Sequence, residues 1–190
     1  MIIPAVPRLP QPHAPNRRAG ACAGAGLAVS VWLAACAPSH DWRQMRSADG
    51  VVEALFPCKP TLHERRIGIA GGSVKLSLMA CDAGGQTWGL ASAELGDPAR
   101  HGEVLDALAG AAAGNVAAAA STAALVVPGA TPHPGSRRLR LEGRRPDATP
   151  VRMQLALFTH GTRVYQATVL GERVSDELAD TFFESLRVPP

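Results

Sequence analysis

The stretch Ser73-Val74-Lys75-Leu76-Ser77-Leu78-Met79-Ala80-Cys81 changes character at every second residue. Val74, Leu76, Leu78 and Ala80 alternate with Ser73, Lys75, Ser77 and Met79, the two-residue period of a strand with one buried face. Thr61 to Ile69 precedes it across Ala70-Gly71-Gly72, a connection that suits a hairpin. On the other side Asp82-Ala83-Gly84-Gly85 makes a turn, and Gln86 to Glu94 reads as the next strand, bearing Trp88 and Leu90. Further back, Asp49-Gly50 is a turn signal, and Val51 to Phe56 reads as a strand ended by Pro57.

The period changes at Asp97-Pro98. Aspartate at an N-cap followed by proline at the first helical position starts a helix. Leu105, Leu108, Ala112, Val116 and Ala119 then recur at three- or four-residue steps, which predicts one long central helix over about 97–120. Its stripe is made of small residues, and Gly110 and Gly114 each cost about 1 kcal/mol against alanine in a helix interior. The uncharged run from Ala107 to Val127 is not read as a membrane span, because Asn115, Ser121 and Thr122 interrupt it. Pro128 to Ser136 is a loop, Arg137 to Gly143 a strand, and Val151 to His160 pairs across Gly161-Thr162 with Arg163 to Leu170. Ser175 caps a closing helix to about Leu186, with Leu178, Phe182 and Phe183 on its buried side. The expected architecture is α+β: an antiparallel sheet of about six to seven strands, a central helix and a C-terminal helix over about 175–186.

Upstream of this domain the chain has the three parts of an export signal. Arg8, Arg17 and Arg18 form a basic start without acidic residues, which favours keeping that end cytoplasmic. An uncharged run of 17 residues follows from Ala19 to Ala35, four of them glycine or serine. That is a weak permanent span, since a membrane helix needs about 20 predominantly apolar residues. The run ends in Leu33-Ala34-Ala35-Cys36, which resembles the lipobox of bacterial lipoprotein precursors. The resemblance implies cleavage before Cys36, a diacylglycerol on its thiol and acylation of the new amino group; two acyl chains already suffice for stable anchoring. The alternatives are an ordinary signal-peptidase site and an uncleaved anchor. Residues 1–35 are then the signal, 36–41 a short tether and 42–190 a single periplasmic domain. Ala37 follows the cysteine where enteric inner-membrane lipoproteins carry aspartate, so the expected location is the periplasmic face of the outer membrane, with the inner membrane as alternative.

Removing the signal leaves 16 basic and 16 acidic residues, a formal charge of zero. A neutral chain offers no support for broad nucleic-acid binding, which needs many phosphate-neutralising contacts. With Cys22 in the signal and Cys36 lipidated, Cys58 and Cys81 are an even pair in a chain sent to an oxidising compartment and read as a disulfide.

Phe56-Pro57-Cys58-Lys59-Pro60, Val164-Tyr165-Gln166 and the closing Phe182 to Leu186 together resemble a group of uncharacterised proteobacterial envelope proteins. That resemblance implies an α-β-α sandwich similar to the extrinsic PsbP subunit of photosystem II, and carries over no catalytic residues. Direct chemistry is equally sparse. There is no Gly-x-Ser-x-Gly elbow, His63-Glu64 lacks the second histidine of a zincin, and His101-Gly102-Glu103 has no Cys-x-x-Cys to complete a zinc site. No catalytic residue, metal site or cofactor is therefore expected. One cluster remains: Arg137, Arg138, Arg140, Arg144, Arg145 and Arg152, six guanidinium groups in 16 residues with Glu142 and Asp147 among them. Beside a membrane they would suit anionic lipid headgroups or lipopolysaccharide phosphates, unless they form a solvated strand face. The expected function is a non-enzymatic binding or assembly role with another envelope component. The alternative is an envelope hydrolase or transferase.

Overall fold

The computed structural model describes residues 40–116, 120–145 and 147–190. The signal 1–35, Cys36 and most of the 36–41 tether lie outside the described residues, as does Ala119 of the predicted helical stripe.

The described chain begins with an antiparallel ribbon of β1 (Arg43–Arg46) and β2 (Glu53–Phe56). A meander of β3 (Thr61–Ile69), β4 (Gly72–Ala83) and β5 (Gln86–Glu94) follows. A 3-10 turn, Pro98–Arg100, runs into helix α1 (His101–Asn115). Next come β6 (Ala120–Ala124), β7 (Arg137–Arg144), β8 (Pro150–His160), β9 (Arg163–Gly171) and helix α2 (Asp176–Glu184). The seven strands β3 to β9 form one antiparallel sheet in the order β3-β4-β5-β9-β8-β7-β6. Helix α1 thus carries the chain from one strand group to the far edge, and the second group folds back until β9 pairs with β5 in the middle.

Strand parity separates two cores. On β8, Met153, Leu155 and Leu157 belong to the core shared with Val104, Leu105 and Ala112 of α1. Their neighbours Ala156 and Phe158 belong to the other core, with Tyr165, Ala167 and Val169 of β9 and Ala179, Phe182 and Phe183 of α2. Central strands covered on both faces bury both sets of side chains, which is why alternation blurs there. Trp88, fully buried, has Trp42 edge-on at 5.8 Å and Phe182 at 5.5 Å; Phe56 meets Phe182 at 5.2 Å. Fully burying one such side chain contributes about 1.5–3 kcal/mol.

The ribbon is fastened to α2 and the chain end. Ser185 Oγ accepts from the Leu55 amide at 2.8 Å, and Glu53 and Arg187 exchange backbone hydrogen bonds at 2.8 and 3.1 Å. The Glu53 carboxylate, only 6% exposed, accepts from Arg187 at 2.6 and 2.9 Å and from Arg46 at 2.7 Å. Burial pushes its pKa up, but the Arg187 hydrogen bond and the charges of Arg187 and Arg46 outweigh it and hold the carboxyl below the ordinary glutamate value.

The α+β class, the antiparallel sheet and the two helices stand as the sequence suggested. The long central helix does not. Asp97 Oδ1 does accept from the Ala99 amide at 2.9 Å, but it caps the 3-10 turn, and α1 ends at Asn115. Ala120–Ala124 is a strand paired with β7, so sheet pairing overrides alanine's helix propensity at a point already weakened by Gly114. β1 and β6 are elements the reading of the chain did not assign, β2 starts at Glu53 instead of Val51, and α2 stops at Glu184 instead of about Leu186. Among the described residues no helix is long and apolar enough to cross a membrane.

Candidate functional site

Cys58 and Cys81 are bonded, with Cα atoms 6.1 Å apart, just beyond the open end of the β3-β4 hairpin. The six arginines do not share one face of the sheet. Arg137 turns toward α1, where it meets Asp106 at 2.8 Å and the Leu105 carbonyl at 3.3 Å. Arg138 turns to the opposite face, where its guanidinium stacks 4.4 Å above the Phe183 ring and lies 2.7 Å from Asp180, close but without an aligned hydrogen bond. Arg138 also donates to Gln154, whose own amide donates to Asp176 at 2.6 Å. Arg140 reaches the same α2 acids at 3.6 and 3.9 Å, and Arg152 pairs with Glu142 at 3.3 Å. These four cations are therefore engaged by carboxylates of the protein itself.

Arg144 and Arg145 are placed differently. Arg144 donates to the Ala148 carbonyl at 2.8 Å within the β7-β8 turn. Arg145 faces a cleft of about 460 Å³ whose other walls are Gly84, Gly85, Glu172 and Arg173. The cleft exists because the strand order sets three connections side by side: the β4-β5 turn, the β7-β8 turn and the link from β9 to α2. Gly84 is needed there. Its φ is +59°, and a Cβ would come within 2.6 Å of His40 Nε2. Arg173 and Glu172 had no signal in the sequence beyond lying in a turn, since they become neighbours of Arg145 only through the β5-β9-β8-β7 pairing.

Two buried polar groups were also missed. Tyr165 donates to Asp49 at 3.0 Å, and Arg163 joins Asp49 at 3.2 Å to Glu94 at 2.7 Å. Burial and the Asp49 charge push the Tyr165 phenol up. Burial pushes Asp49 up as well, but hydrogen bonds from Ser47, the Val51 amide and Tyr165 outweigh it and hold the carboxyl below the ordinary aspartate value. A protonated phenol donating to an ionised carboxylate ties the Asp49 turn to β9; it leaves no free base at this point. His101, 3% exposed, sits 5.9 Å from the His133 ring, and burial holds its pKa below the ordinary histidine value. Among the described residues no cluster of three or more His, Cys, Asp or Glu side chains is placed to hold a metal ion.

No protein-family model matches the chain, and neither does any curated protein.

Proposed function

We propose that this chain is a lipid-anchored protein of a bacterial envelope, held by Cys36 at the periplasmic face of the outer membrane, where its domain binds or helps assemble another envelope component. The single observation that carries the compartment is the Cys58–Cys81 bond, because disulfides persist in oxidising environments and are rare in reducing ones. The lipobox resemblance at Leu33-Ala34-Ala35-Cys36 adds the anchor. A PsbP-like sandwich draws support from the layer order, with α1 against one face of the sheet and α2 with the ribbon against the other. The binding role draws support from β6, an edge strand exposed along its whole length and without a charged side chain to guard it, followed by Val126 at 89% exposure. Labelling cells with radioactive palmitate tests the anchor: the wild-type chain takes up label and fractionates with membranes, and Cys36→Ala does neither. An unmodified amino terminus on protein recovered from membranes would overturn the proposal.

A further inference from the structure

We propose that the end of the sheet carrying Lys59, Arg144, Arg145 and Arg173 docks on the phosphates of an anionic phospholipid bilayer and fixes the domain's orientation on it. The surface rests on the lipid anchor proposed above, and the assay below separates the two. Two independent observations carry it. The first is where the chain enters. His40 packs against Gly84 in the β4-β5 turn and 6.5 Å from Trp88, and the Asp41 amide donates to Pro57 at 2.8 Å. His40 follows Cys36 by four positions, at most about 14 Å of extended chain. An anchor at Cys36 therefore keeps this end next to the membrane.

The second is charge. Lys59, Arg145 and Arg173 take part in no ion pair among the described residues, and Arg144 spends only one donor, on the Ala148 carbonyl. Of the carboxylates at the same end, Asp41 is paired with Arg43, and Asp147 feels the charge of Arg145. Asp82 accepts from Thr87 at 2.6 Å, Asp147 from the Thr149 amide at 3.0 Å, and Glu172 lies in the cleft. The opposite end is mixed, with Asp49, Glu94, Asp97, Glu103 and Asp106 beside Arg65, Arg66, Lys75, Arg100, Arg137 and Arg163. An anionic surface attracts the unpaired cations of the first end, which the short link from Cys36 holds beside it. Each basic side chain near such a surface contributes about 1 kcal/mol, and charges act over about a Debye length of 8 Å at physiological salt.

The chain supplies its own reporters, since Lys59 and Lys75 are its two lysines. Lys75 lies eight residues from Ala83 along β4, about 26 Å from the docking end. The full lipoprotein is reconstituted into vesicles of phosphatidylcholine with or without phosphatidylglycerol. Flotation is measured, and acylation of each lysine is followed by mass spectrometry. Flotation with both vesicles, with Lys59 slowed about fivefold or more by phosphatidylglycerol and Lys75 changed less than about twofold, is the expected result. Arg145→Gln and Arg173→Gln each lose about fivefold of that protection, the equivalent of roughly 1 kcal/mol, and still float. Flotation with unslowed Lys59 would overturn the docking surface and leave the anchor standing. Failure to float would remove the anchor and the surface with it.

Discussion

Replacing Cys58 and Cys81 together with serine removes the covalent closure of the β3-β4 hairpin, and its cost follows from the structure. The two residues are 23 apart in sequence. Closing a loop of that length removes about 3.4 kcal/mol of chain entropy from the unfolded state. Little else holds the outer strand. Thr61 to Arg66 are all exposed, and β3 is the sheet's edge, so its apolar burial is confined to the region of Ile67 and Ile69. The double variant should therefore lose about 3 kcal/mol, a fall in melting temperature of roughly 6–12 °C for a domain of this size. Urea unfolding followed through the fluorescence of buried Trp88, on β5 across from Cys81, measures the loss. Hydrogen exchange locates it: β3 amides should lose protection first, while β8 and β9 follow global unfolding. A loss under about 1 kcal/mol, or protection falling evenly across the sheet, would refute the argument that the bond staples an otherwise weakly held edge.

Phe182→Ala empties the site where Phe56 and Trp88 meet α2, and should cost about 3–5 kcal/mol, read as a lower urea midpoint; a cost under about 1 kcal/mol would contradict the packing. His101 is held below its ordinary value by burial and by the His133 charge, against a hydrogen bond to the Thr162 backbone and the charges of Asp97 and Glu94. The unfolded chain then binds the proton more readily, so stability is full above about pH 6.5 and falls as the pH drops below it. Comparing urea midpoints between about pH 7.5 and 5.5 should show a slope that His101→Asn flattens; an unchanged slope sinks the assignment. Ala70 and Gly71 form the β3-β4 turn with φ of +48° and +69°. Ala70→Asn, better suited to the left-handed region, should raise stability by about 0.5–1 kcal/mol, and a lower melting temperature would count against it.

The local pattern of this chain was readable wherever one physical rule governed a segment. Thr61–Ile69 ends, and Gln86–Glu94 begins and ends, at turns where glycine holds a positive φ, and those edges are where the glycines put them. Ser175 caps α2, accepting from the Leu178 amide at 3.4 Å, because a side-chain oxygen there satisfies an otherwise unpaired helix donor. The cysteine pair followed from its even number, once Cys22 and Cys36 were set apart in an export-like start. What the chain could not reveal is which strands become neighbours. Alanine at 120, 123 and 124 favours helix by propensity, yet a free place beside β7 makes strand of it, since backbone pairing with an existing edge outweighs a local preference worth tenths of a kcal/mol. The arginine run divided in the same way. Strand parity sends Arg137 toward α1 and Arg138 with Arg140 toward α2, while the β5-β9-β8-β7 order sets Arg145 beside Arg173, 28 residues away. Composition and period act within a segment, so they determine most of the elements. Partners across the sheet are chosen by burial and pairing among distant segments, and only the tertiary structure decides them.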